Sequence, residues 1–365
     1  MSNIDKHSPK LSVIIPLYNH ERYIKEAIYS VLGQSFGDFE LIIINDGSTD
    51  NSEDVVKAIK DDRIKYFYQK NQGAHNTINR GIQLAQGEYV SILNSDDVYY
   101  KNRFEEALKV LESDSSIRAV FSHMEFIDEK GDFIRFSRGA EDNWKDKNEG
   151  TSFKGKNDVV IDLLAGNFLM TTSNLFCRRS VFKDIGYFSN LRYTHDYDFF
   201  LRLCSHYKTY IMDIPLLKYR MHNLNTIKNN EAEVSFEVGL ILANFFLNYD
   251  KENIFEDEVH NYNTMLKLFN SVNTYNADKM IMVLLIYATR NNLWKERLFK
   301  DLTQDTENSF RKICVDSFKA RIDQRKALEE LNERLVRARE ELRKSYSYRL
   351  GRVITWPLRK VLGTE

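Results

Sequence analysis

Short apolar runs alternate with amphipathic segments through the first third of the chain, and this rhythm restricts the fold more than any other feature. Residues 11–17, 41–44, 64–68, 88–93 and 119–122 read as strands. Between them, 22–33 places Ile24, Ala27, Ile28 and Val31 on one helical face, and 52–60, 76–85 and 101–111 read as further helices. The run 41–44 is apolar at every position, as expected of a parallel strand covered on both faces. Strands separated by helices at this spacing make a mostly parallel sheet flanked by helices, so the fold class is α/β.

The 365 residues divide by composition. Residues 1–10 form a polar extension without the apolar core of a signal peptide. Residues 11–230 are the α/β domain, interrupted at 135–158 by a polar, charged loop. A helical extension is expected over 231–315; between 231 and 302 it lacks Pro and holds a single Gly, Gly239. A charged helix over 316–344 spaces Leu328, Leu331, Leu335, Ala338 and Leu342 by alternating threes and fours. This seam spans about two heptads and reads either as a coiled-coil oligomer contact or as a helix docking on its own domain. Residues 345–365 are a basic, aromatic tail.

Lys and Arg number 52 against 53 Asp and Glu, so nothing global draws the chain to nucleic acid. Cys177, Cys204 and Cys314 are far apart and without a CxxC pair, as buried thiols of a reducing compartment would be. The apolar run Met280 to Ala288 is too short to cross a bilayer, which takes roughly 20 residues. A cytoplasmic protein, peripheral on the inner face of the cell membrane, fits these features.

Carboxylates cluster where strands leave the sheet, the edge at which open α/β folds bind ligands. Asp96 and Asp97 follow the run Tyr89 to Leu93. Neighbouring like charges call for a cation or donors, and hard divalent cations prefer carboxylate oxygen; a solvated turn capping the next helix is the plainer reading. Asp46 ends the second strand beside Gly47. After the first strand comes Pro16-Leu17-Tyr18-Asn19, with no Gly-rich turn there and no GxxxxGK[ST] anywhere, which argues against a dinucleotide enzyme and a P-loop ATPase. Tyr18 reads either as a platform for a base or as a residue packed at the sheet rim.

In order and spacing, Ser12 to Asn19, Ile43 to Asp50, Asn71-Gln72-Gly73 with Asn79 and Gly81, Gly87-Glu88-Tyr89 and Leu93 to Asp97 resemble the family 2 glycosyltransferases of the Rossmann-like GT-A fold. The resemblance implies a nucleotide-diphosphate sugar donor, usually UDP-linked, a divalent cation (Mn²⁺ or Mg²⁺), and inversion by single displacement. It implies that Asp46 binds the base in a pocket lined by Pro16 and Tyr18, that Asn19, Asn79, Asn94 and Ser95 contact the donor, and that Asp96 binds the metal. Two positions depart from the family pattern. Asn94 stands where the DxD motif begins with Asp, and Ile78 stands where an Arg often precedes Asn79, leaving His75 and Arg80 as candidate phosphate contacts.

Further on, Asp184 to Phe188 and Thr194 to Asp198 resemble the acceptor-side motifs of the family, with His195 in place of the usual Glu. Asp196 matches the base that takes the acceptor hydroxyl proton, and Asp198 reads as a first-turn partner of the following helix. Tyr219 to Asn225 resembles the family's R-x-H segment, in which His222 either joins the metal or contacts the diphosphate. The tail joins Arg343, Lys344, Arg349, Arg352, Arg359 and Lys360 to Trp356 and several Leu, Val and Ile, without an acid before Glu365; an anionic membrane surface is its expected partner. The expected activity is transfer of a sugar to a saccharide or lipid-linked saccharide in cell-surface polysaccharide synthesis. The lost motif positions leave a non-catalytic nucleotide-sugar-binding scaffold as the alternative.

Overall fold

The computed structural model describes residues 8–137, 159–222, 230–248, 302–303 and 308–344. The interior of the expected loop, Asn223 to Asn225, most of the extension beyond Asn248 and the tail 345–365 lie outside the described residues. The chain divides into two units, Met1–Asn308 and Ser309–Glu365.

The first unit is built on one sheet. Strands β1 (Leu11–Leu17), β2 (Phe39–Asp46), β3 (Ile64–Gln69) and β4 (Tyr89–Ile92) pair in parallel in the order β3-β2-β1-β4. Helices α1 (Ile24–Leu32), α2 (Ser52–Ala58) and α3 (Ala74–Leu84) make the crossovers. The apolar faces of β1 and β2 and Ile24, Ala27, Ile28 and Val31 of α1 are buried together, as their spacing predicts. Helix α3 approaches β1 closely because Gly81 has no side chain; a Cβ there would stand 2.4 Å from Ile14 Cγ2.

Beyond β4 the sheet becomes mixed. A two-residue strand β5 (Val98–Tyr99) precedes α4 (Arg103–Ser113), which therefore starts later than the sequence suggests. Strand β6 (Ile117–Ile127) is much longer than the run 119–122 and turns back into β7 (Phe133–Ser137), in a stretch read from sequence partly as loop. Helix α5 (Val159–Ala165), a 3-10 turn at Thr172–Asn174, β8 (Phe176–Arg178), α6 (Val181–Ile185), α7 (His195–His206) and β9 (Lys208–Arg220) complete the domain.

The pairing fixes where the site lies. Strand β8 is antiparallel to both β4 and β6, and β6 is parallel to β9. Strand β9 therefore points the same way as β4, and the residues that follow it emerge at the edge where Asp46 and Asp96 leave the sheet. Helix α8 (Glu231–Asn248) follows. In the second unit α9 (Ser309–Lys344) is a single helix beginning before the expected boundary at 316, and Leu328, Leu331 and Leu335 on it are exposed.

Candidate active site

Three side chains from different parts of the chain meet at the carboxyl edge. Asp96 Oδ2 lies 2.9 Å from His222 Nε2, and His20, Asp96 and His222 each present a ligand atom within 4.8 Å of the others. The His222 ring stacks on Tyr23 with centroids 5.2 Å apart and meets His20 edge-on. His20 Nδ1 shares a 2.7 Å hydrogen bond with Ser95 Oγ, which fixes the ring orientation. Burial opposes the Asp96 charge, yet the His222 hydrogen bond and the charge of His20 hold its carboxyl below the usual range. Burial pushes His20 down, toward the neutral imidazole that can ligate a metal. Sequence reasoning missed His20, although it adjoins the Pro16-to-Asn19 motif.

Asp97 turns inward. It accepts from Ser173 Oγ at 2.6 Å and from the Arg220 N–H at 3.0 Å, and burial followed by the Asp96 charge pushes its carboxyl well up. Arg220 is itself buried: its Nε donates to the Asp96 carbonyl at 2.9 Å and its Nη2 to Glu26 at 2.5 Å. The two residues lock the end of β9 to the turn after β4, so His222 and Asp96 meet through a braced backbone.

Several of the residues expected at the donor have their amides already engaged. Asn94 donates to Thr171 Oγ1 and accepts from Thr172 Oγ1, both at 2.9 Å. Asn79 donates to the Phe188 carbonyl at 2.8 Å and accepts from its N–H at 3.0 Å. Asn19, at φ 52°, accepts from the Thr49 N–H at 2.8 Å. Asp46 accepts from Gln69 Nε2 and from the Gln72 and Gly73 N–H groups, at 2.7, 2.9 and 2.9 Å, which leaves about one of its roughly four acceptor sites for a base. Tyr18 is exposed and Pro16 half-buried beside it. Ile78 points into the core, and Arg80 donates to the Tyr68 carbonyl and to Gln69 Oε1. His75 is buried, with Nε2 unpartnered among the described residues.

Asp196 sits in the first turn of α7, 8% exposed. It accepts the Tyr197 N–H at 2.7 Å and a hydrogen bond from the Asn167 side chain, whose own Oδ1 takes the Met170 N–H. Burial pushes the Asp196 carboxyl up to about 7 despite those donors. Asp198 accepts from Ser189 and pairs with Arg202 at 2.7 Å, so it serves the helix. His195 is pushed down to about 4 by burial and by His75, and stays neutral. The sequence marks the stretch from Asn167 to Asn174 only as a place for donor and acceptor selectivity, with no role for Asn167 beside Asp196.

An α/β sheet with a carboxylate–imidazole cluster at its strand ends and a withdrawn carboxylate near neutrality marks this edge as the candidate active site. Residues 12–186 match the family model described as glycosyl transferase family 2. An uncharacterized glycosyltransferase of Rickettsia typhi is 35% identical over 60% of this chain and 66% of its own length. One of Rickettsia conorii is 30% identical over 84% of this chain and 52% of its own. One of Nostoc is 30% identical over 66% of this chain and 74% of its own. The chain thus spans only about half to two thirds of the length of the two rickettsial relatives. Among solved structures, S. aureus TarS residues 1–349 in complex with UDP superposes with a TM-score of 0.54 at 19% identity, covering 85% of this chain and 91% of that one. The same segment with UDP-GlcNAc gives 0.53, also at 19% identity, over 83% and 92%. The chain belongs to glycosyl transferase family 2, and its fold is the GT-A fold.

Proposed function

We propose that this chain is an inverting glycosyltransferase that moves a sugar from a UDP-linked donor to a hydroxyl of a saccharide or lipid-linked saccharide, in cell-surface polysaccharide synthesis. The observation that carries the reading is Asp196, a carboxylate withdrawn from water, oriented by Asn167 and the Tyr197 N–H, with a proton affinity near neutrality. The acceptor oxygen attacks the anomeric carbon, the bond to the diphosphate oxygen breaks on the opposite face, and the acceptor proton passes to Asp196. A base whose pKa lies near the working pH is the most effective kind.

His20, Asp96 and His222 fit a divalent cation: two imidazoles and one carboxylate with mutually close donor atoms and open positions remaining. This mixed donor set favours Mn²⁺ over Mg²⁺, which prefers oxygen alone. When bound, the cation would supply positive charge opposite the leaving diphosphate. Tyr18 and Pro16 would offer an apolar wall for the base, and Asp46 would accept from its N–H. The TarS complexes with UDP and UDP-GlcNAc support a uridine nucleotide.

No helix among the described residues is long and apolar enough to cross a membrane. The basic, aromatic tail 345–365 is our proposed anchor to the anionic inner face of the cell membrane. The test of the whole reading is UDP release across a panel of UDP-sugars with Mn²⁺ present. We expect turnover with at least one donor, and a loss of roughly 10²–10⁴-fold in Asp196→Asn. Unchanged turnover in that variant would remove Asp196 from the role of base, and UDP binding without turnover across the panel would favour a scaffold.

A further inference from the structure

Glu237 lies on α8, beyond the 12–186 stretch that defines the family. It is 5% exposed, yet no cation partners its carboxyl group among the described residues. Instead it accepts from the Arg192, Tyr193 and Thr194 N–H groups at 2.8, 2.9 and 3.0 Å and from Thr194 Oγ1 at 2.9 Å. Those three N–H groups precede the first turn of α7, and Thr194 at the N-cap makes no side-chain capping bond of its own. A carboxylate from a distant helix thus gathers donors at a helix start, a position that also favours negative charge. Asp196 is two residues past the last of them.

We propose that Glu237 is a positioning residue for the transfer base: four donors draw its carboxyl group to the Arg192-to-Thr194 turn from which Asp196 projects, which fixes that turn and sets a second carboxyl group near the base. The inference rests on Asp196 being the base. Asp196 is held high first by burial, with the Glu237 charge adding to the effect. The other ionisable groups nearby on α7 are His195, held neutral, and Asp198, paired with Arg202. Of the elements packed on α7, α5 brings Asp162, α6 brings Lys183 and Asp184, the last bonded to Tyr207, and α8 brings Glu231 and Glu233 besides Glu237. Arg192 is exposed, with its guanidinium over the Tyr193 ring.

The experiment is the pH profile of kcat/KM for the full chain with a turned-over UDP-sugar and Mn²⁺, alongside UDP affinity by calorimetry. Glu237→Gln keeps the shape and removes the charge. Its acid limb should move to lower pH by several tenths of a unit or more, with kcat down roughly tenfold and UDP affinity unchanged. Lost activity with an unmoved limb would mean a structural role alone, and wild-type kcat with an unmoved limb would mean no role; either overturns the proposal. Should Glu237→Gln not fold, Glu237→Asp carries the test: the charge remains and the reach shortens, so the limb should stay while kcat falls about tenfold. A wild-type kcat in Glu237→Asp overturns it. Asp196→Asn separates the two readings: full activity there refutes the base and this inference together. An inactive Asp196→Asn with an unmoved limb in Glu237→Gln refutes this inference alone.

Discussion

Asp96 and Asp196 are both withdrawn from water, and their surroundings drive them in opposite directions. The contacts of His222 and His20 hold the Asp96 carboxyl below its usual range, while Asp196, with no cation beside it among the described residues, holds its proton up to about 7. The catalytic consequence is that kcat/KM should rise with pH through a limb near 7, measurable from pH 5 to 9, and Asp196→Asn should have no such limb. The stability consequence has the opposite sense. Between the ordinary value of 3.8 and about 7 the folded state binds the Asp196 proton more tightly than the unfolded chain does. Asp196 therefore costs stability progressively as pH rises through that window, and the Tm of wild type should fall relative to Asp196→Asn across it. At the metal edge, His20→Ala should weaken Mn²⁺ binding by at least about tenfold in calorimetry without donor present. An unchanged affinity would restrict the ligand set to Asp96 and His222.

At the scale of elements, the site depends on braces between segments far apart in sequence. Asn79 on α3 grips both backbone groups of Phe188, across 109 positions. Asn79→Ala leaves a partly buried N–H and C=O unmet, so urea unfolding should show a loss of about 1–3 kcal/mol. An effect below about 0.5 kcal/mol would show that water replaces the amide there. The parallel strands β1 to β4 and their helices were legible because each carries a largely apolar run or a one-faced helical period. Strand β5 was not, being two residues long, and β7 was not, because Phe133, Ile134 and Phe136 are exposed on an edge hairpin. Strand β9 extends beyond 211–217, the part that reads as strand from sequence, because bulges at its pairing with β6 break the alternation that periodicity detects. The carboxylates of the site were legible from their places at strand ends. His20 was not, and Asn167 was marked only as part of a selectivity stretch, because a lone His or Asn gains its role from what the fold sets opposite it.

For the whole molecule, the described site residues fall between Pro16 and Glu237, inside the first unit, while the basic tail belongs to the second. Catalysis and membrane attachment should therefore separate. Removing residues 345–365 should leave UDP release from a soluble donor intact and release the chain from vesicles rich in anionic lipid, as seen by co-sedimentation at about 0.1 M salt. Retention on the vesicles would move the anchor elsewhere. Asp96 and His222, which touch at the metal edge, stand 126 positions apart. Their meeting waits on the parallel pairing of β9 with β6, a non-local contact of the slow-forming kind. A chain emerging from the ribosome would thus complete its nucleotide-facing strands early and remain unable to capture a cation until its last strand is seated. On the proposed reading, metal capture would then be a late event in biogenesis, with no ion held by the half-made protein.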